Sequence, residues 1–190
     1  MFLLPLMMAS WSLLDVLKEK KVKASFFLMG SKVIIHPDIV ERIGDEGHDI
    51  SDFMLGAIPR CQSYFHEVHS QLHRNSDAIF NATRRSIKIM RPPYGDTNDA
   101  LNRYITSSEK LHVILFSLAA RDWINTATPK DLISRVLGNI QPGSIILFQD
   151  THYRSIDCMS DVINGIHKMG YEFRSVSEMM KLLNDRANGG

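Results

Sequence analysis

The chain has 190 residues, 44% hydrophobic and 23% charged, with a formal net charge of +1 at pH 7. That length supports a single sizeable core, so 1–190 is expected to be one domain. Balanced charge without a block of like sign excludes a basic nucleic-acid surface, and no apolar run reaches membrane-spanning length.

Met1 to Ala9 is apolar and reads either as a signal-peptide core or as a buried first strand; without a basic leading segment, the strand is the better reading. Ser12 to Lys20 has helical apolar spacing at Leu13, Leu14 and Leu17, and Ala24 to Met29 is an apolar strand stopped by Gly30. His36-Pro37 opens a helix that ends before Gly47, and His48 to Ser51 is a short strand. Residues 62 to 83 predict a long helix carrying His66, His69 and His73 at helical spacing. A solvated helix face is the preferred reading of these three, with a metal site as the alternative. Further strands are expected over Ile87 to Met90, Val113 to Ser117, Ser144 to Phe148 and Tyr171 to Phe173. Helices are expected over Thr97 to Ser107, Pro129 to Ile140, Asp157 to Met169 and Ser175 to Leu183. This alternation predicts a parallel sheet with helices outside, and seven strands suit a distorted (β/α) barrel better than an open sheet. Cys61 and Cys158 are too few for a disulfide framework and are compatible with one bridge or two free thiols. Asn81-Ala82-Thr83 fits a glycosylation acceptor, which matters only if the chain is exported.

The most informative stretch is Ile87-Lys88-Ile89-Met90-Arg91-Pro92-Pro93-Tyr94-Gly95. Two prolines end the strand, because each fixes φ and lacks an N–H, and Gly95 supplies the turn. Arg91 is thereby held at the C-terminal end of a strand, the edge where α/β folds bind ligands.

Arg91 to Gly95 resembles the Arg-Pro-Pro-Tyr-Gly motif of the polysaccharide deacetylases, the NodB-homology family that includes chitin and peptidoglycan deacetylases. The resemblance covers nearly the whole chain. It implies a single-domain distorted (β/α) barrel and, in the family, metal-dependent N-deacetylation of a carbohydrate. Counting back from Ala24-Ser25-Phe26-Phe27, the family's Thr-Phe-Asp-Asp-Gly-Pro motif falls on Met1 to Leu6. Its catalytic base is then Leu3 and its metal-binding aspartate Leu4; a start truncated before the true motif is the alternative. Gly47-His48-Asp49-Ile50-Ser51-Asp52 keeps the lead of the second motif, but the two metal-binding histidines are replaced by Phe53 and Ala57. In the fourth motif Asp122-Trp123 is retained and the earlier aspartate is Ala119. In the fifth, the general-acid histidine is Gln149.

Amide hydrolysis at neutral pH needs a metal to polarise the carbonyl and activate water, and zinc needs three lone-pair ligands. Leu4, Phe53 and Ala57 offer none, and Leu3 and Gln149 can neither accept nor release the required protons. The resemblance therefore implies a catalytically inactive member: no cofactor is predicted, and zinc or another divalent ion enters only if the chain is an active deacetylase with a truncated or rewired site. His48, Asp49 and Asp52, or Asp150 and His152, would then be the substitutes, although strand alternation turns Asp52 outward if Phe53 faces inward. Leu3, Leu4 and Phe53 are expected to fill the former metal pocket, and Arg91 to pair with Asp122. Substrate-binding candidates are Arg91, Pro93, Tyr94, Gly95 and Trp123, whose aromatics suit a sugar ring or, for Trp123, core packing. The expected partner is chitin or another N-acetylated polysaccharide, with a scaffold role as the other non-enzymatic reading. A secreted or cell-surface location is suggested by the resemblance alone.

Overall fold

The computed structural model describes residues 2–5, 10–53, 64–149 and 153–189, with side chains omitted at 2–5, 10, 64 and 153. Seven strands form one sheet in the order β5-β4-β3-β2-β1-β7-β6, and each of the four ladders with an assigned register is parallel. The strands are β1 Phe2–Pro5, β2 Ser25–Leu28, β3 Asp49–Phe53, β4 Ile89–Arg91, β5 His112–Val113, β6 Leu118–Ala119 and β7 Ile146–Leu147. The helices are α1 Ser10–Glu19, α2 Gly30–Ile35, α3 Pro37–Asp45, α4 Tyr64–Thr83, α5 Asp99–Ser107, α6 Pro129–Asn139, α7 Tyr153–Lys168 and α8 Val176–Asn188. The expected parallel strand–helix alternation is thus the architecture observed.

The chain forms two compact units, each discontinuous in sequence. The first comprises Met1–Phe26, Asp45–Asp49 and Phe116–Gly190. Its core is built from Leu13, Leu14 and Leu17 of α1, Leu132 and Val136 of α6, and Met159, Val162 and Ile166 of α7, all essentially inaccessible to water. These residues recur every three or four positions, which gives each helix one apolar stripe to bury. In α6, Thr128 and Asp131 form a reciprocal capping box with Pro129 at the first helical position, so the start is set by local chemistry.

The second unit comprises Phe27–Gly44 and Ile50–Leu115. Val68 and Leu72 of α4 pack with Met90 of β4, Leu101 and Ile105 of α5, and Leu111. Asn98 caps α5, its side chain accepting the Leu101 N–H at 2.9 Å.

Three expectations about elements need correction. Gly30 ends β2, but it also opens α2, which the β-branched run Val33-Ile34-Ile35 conceals. The Gly30 N–H donates to Asn75 Oδ1 at 3.1 Å, and a Cβ on Gly30 would collide with that oxygen. Only glycine lets α2 approach α4 so closely. The strand expected over Val113 to Ser117 is replaced by β5 and β6, which stand at opposite ends of the strand order and pair with β4 and β7 respectively. Tyr171 to Phe173 forms no strand: the Tyr171 N–H returns to the Ile166 carbonyl at 3.2 Å, and Phe173 stacks on His167 at 5.2 Å. That segment closes α7 instead of joining the sheet.

Candidate active-site positions

In the second unit, β3 and β4 run in parallel register, with Asp52 opposite Met90 and Phe53 opposite Arg91. Asp52 is completely buried. Its Oδ1 accepts from Asn75 Nδ2 at 3.1 Å, and the same nitrogen reaches the Phe53 carbonyl at 3.2 Å. The outward-facing Asp52 expected from alternation is therefore wrong. A parallel strand buried on both faces has no solvent side, so neighbouring residues can both be interior. Burial pushes the Asp52 carboxyl up to about 7, against the opposing hydrogen bond from Asn75.

Phe53 offers an aromatic ring where the resemblance expects a histidine. The Arg91 guanidinium carbon lies 5.9 Å from the centre of that ring, within cation–π range. Arg91 is 5% exposed, and desolvation lowers its pKa to about 10, which leaves it charged at neutral pH. Its chain then enters the turn Pro93–Gly95, closed by Gly95 N–H to the Pro92 carbonyl at 3.2 Å and Asp96 N–H to the Pro93 carbonyl at 2.9 Å. Pro93 is buried, whereas Tyr94 is 87% exposed. Tyr94 adopts φ 56° and Gly95 φ 73°. A tyrosine in the left-handed region is strained, and rigid prolines on its N-terminal side hold it there.

In the first unit, Asp122 is also fully buried. Its Oδ2 accepts the Gln149 N–H at 2.6 Å and the Ser155 hydroxyl at 2.6 Å. Asp122 thus ties the chain leaving β7 to the first turn of α7. Trp123 beside it is 42% exposed, so the core-packing reading of this ring is not the one adopted. Ala119 lies opposite Leu147 on β7, and Leu3 of β1 is paired with the same residue. Leu3 and Leu4 are in β1, but their side chains, and Ala57, Cys61, Asp150 and His152 altogether, fall outside the described residues.

The other candidates have structural partners. His48 is 5% exposed; its Nδ1 accepts the Ala24 N–H at 3.2 Å, and its ring meets Phe26 edge-on at 5.3 Å. Asp49 accepts from the Ser25 hydroxyl at 2.8 Å and from the Ser177 N–H at 2.9 Å, fixing the start of α8. Cys158 is a buried free thiol, pushed up to about 12 chiefly by burial, and so is not a reactive nucleophile. His66 is exposed and stands apart, while His69 and His73 converge on Glu109 at 2.9 and 3.3 Å. Burial pushes the Glu109 carboxyl up, but hydrogen bonds from Tyr104 and His69 and the nearby imidazoles outweigh it and hold the group below its ordinary value.

Sequence reading missed Asn75, Ser155 and Glu109. A mid-helix asparagine is the one available signal, because that residue prefers caps and turns; nothing in the sequence marks the other two.

Residues 8–111 match the family model for polysaccharide deacetylase, and the chain belongs to that family. It is 30% identical over 166 residues to the peptidoglycan-N-acetylglucosamine deacetylase PgdA of Listeria monocytogenes, a match covering 87% of this chain and 34% of that protein. The chain therefore spans about a third of the length of that relative. The peptidoglycan deacetylase PdaC from Bacillus subtilis superposes with a TM-score of 0.85 at 26% identity, covering 98% of this chain and 91% of that one. BA3943, a CE4 family pseudoenzyme from Bacillus anthracis, superposes with a TM-score of 0.83 at 24% identity, covering 93% and 63%, a likeness of fold.

The residues present do not fit the family's metal. Where the resemblance expects a ligand, Phe53 has a ring with no lone pair to donate. Leu4 and Ala57, where the resemblance expects the other two ligands, lack ligating atoms by identity. What the described residues can do is present a buried guanidinium and exposed aromatic faces.

Proposed function

We propose that this chain is a glycan-binding member of the polysaccharide deacetylase family in which hydrolysis has been lost. The observation that carries the reading is Phe53, which stands beside Arg91 in the register where a metal-binding histidine is expected. Gln149 supports it: an amide in place of the acid cannot protonate a leaving amine. Tyr94 in the second unit, 87% exposed, and Trp123 in the first, 42% exposed, each offer a flat amphipathic face that suits an N-acetylated sugar such as a chitin or peptidoglycan fragment. Its place of action is then the cell surface or beyond, where such polymers are met.

The test is acetate release from N-acetylglucosamine oligomers with added zinc or cobalt, together with binding of the same oligomers. The reading expects binding without acetate, and binding weakened at least tenfold by Tyr94→Ala and by Trp123→Ala. Metal-dependent acetate release would establish an active, rewired deacetylase instead. Absence of any glycan binding would leave the scaffold role.

A further inference from the structure

The histidine pair on α4 is completed by a residue far away in sequence. His69 and His73 are four positions apart, so they rise from one face of the helix one turn from each other. Their rings are 4.0 Å apart, centre to centre. Glu109, in the connection between α5 and β5, points its carboxylate between them: Oε1 lies 2.9 Å from His69 Nδ1 and Oε2 3.3 Å from His73 Nε2. One ligating atom from each of the three lies within 4.8 Å of the others. For bonds of about 2.0–2.1 Å, tetrahedral zinc places its ligands about 3.3–3.4 Å apart. The two spacings, one to each carboxylate oxygen, are near that edge and the set as a whole is within 4.8 Å, so side-chain rotation would bring one atom of each residue around an ion.

Preorganisation comes from Glu109. Its side chain is only 6% exposed, whereas those of His69 and His73 are 51% and 58% exposed. Tyr104 of α5 hydrogen-bonds the carboxylate, and its own ring packs on Phe65 of α4 at 4.6 Å. The carboxylate is therefore oriented from beneath, as a ligand supported by neighbouring hydrogen bonds should be. The two imidazoles are the solvent-exposed members of the set.

We infer that His69, His73 and Glu109 form a binding site for zinc or a similar borderline-soft divalent ion, pinning α4 to the α5–β5 connection. Two imidazoles and a carboxylate select such an ion over calcium or magnesium, which prefer all-oxygen shells. The site shares no residue with the positions from which the family's metal has been lost, and its role is structural.

The test uses the full chain freed of metal by chelation, titrated with zinc by calorimetry and followed by thermal unfolding. One zinc per chain is expected, with Tm raised by about 5–10 °C at a hundredfold excess over Kd. His73→Ala and His69→Ala should each weaken uptake at least tenfold and abolish the Tm shift, whereas His66→Ala should change neither. Both histidines are exposed, so the variants fold. Magnesium at the same concentration should have no effect. Absence of stoichiometric zinc, or uptake unchanged in His73→Ala, would overturn the assignment. Acetate release is read separately: zinc bound at His73 without acetate leaves the glycan-binding reading intact.

Discussion

Asp52 is a carboxylate sealed beneath α4 with one amide as its described hydrogen-bond donor, at the place where the family lead carries asparagine. Its pKa of about 7 in the fold exceeds the ordinary 3.8. The folded chain therefore keeps this proton at pH values where the unfolded chain has lost it. The sign follows: the contribution of this group is most favourable below about pH 4, declines as pH rises to about 7, and is level above that. The loss amounts to about 4 kcal/mol at most, at about 1.4 kcal/mol per pH unit where steepest. Asp52→Asn should keep the Asn75 contact, raise the urea midpoint at pH 8, and flatten the decline between pH 4 and 7. An unchanged pH profile would show that Asp52 is ionised and compensated. Tyr94 presents the opposite case, an exposed side chain on a strained backbone. Tyr94→Gly should leave unfolding free energy within about 1 kcal/mol of the parent, since relief of the left-handed strain offsets the greater freedom of the unfolded chain. Oligosaccharide binding should nonetheless be lost. A larger drop in stability would mean that the ring is packed, not presented.

At the scale of elements, Asn75 joins three pieces of the second unit. It accepts from the first N–H of α2 and donates to Asp52 and to the end of β3. Gly30→Ala would drive a methyl into Asn75 and disturb all three contacts. Exposed helical glycines usually gain from alanine, but overpacking plus a lost buried hydrogen bond should cost about 2–3 kcal/mol here. Thermal unfolding checks this, and a stabilised variant would show that α2 can simply move away. In the first unit Asp122 has an analogous bracing role between β7 and α7.

For the whole molecule, the positions where the resemblance expects catalytic and metal-binding groups are spread over separate strands: Leu3 and Leu4 in β1, Phe53 at the end of β3, Ala119 in β6, and Gln149 after β7. Groups that act as a unit cannot be restored singly. Phe53→His should therefore yield neither stoichiometric zinc at β3 nor acetate release, measured in a His69→Ala, His73→Ala background that removes uptake at α4. Acetate release from that variant would show that the remaining machinery is intact and that Phe53 alone silences it.

The sequence by itself determined the parallel alternation of strands and helices, because periodicity and breakers are local. It also determined the family, through Arg91 to Gly95, and the chemical poverty of Leu4, Phe53, Ala57 and Gln149, which follows from side-chain identity alone. Local reading failed where packing overrides pattern: at α2, where a glycine is needed for close approach, and at Asp52, where a doubly covered strand hides both faces. Only the tertiary structure could bring Glu109 to His69 and His73. Glu109 comes from a different element than the two histidines of α4, and its distance from them in space is one that no spacing along the chain records.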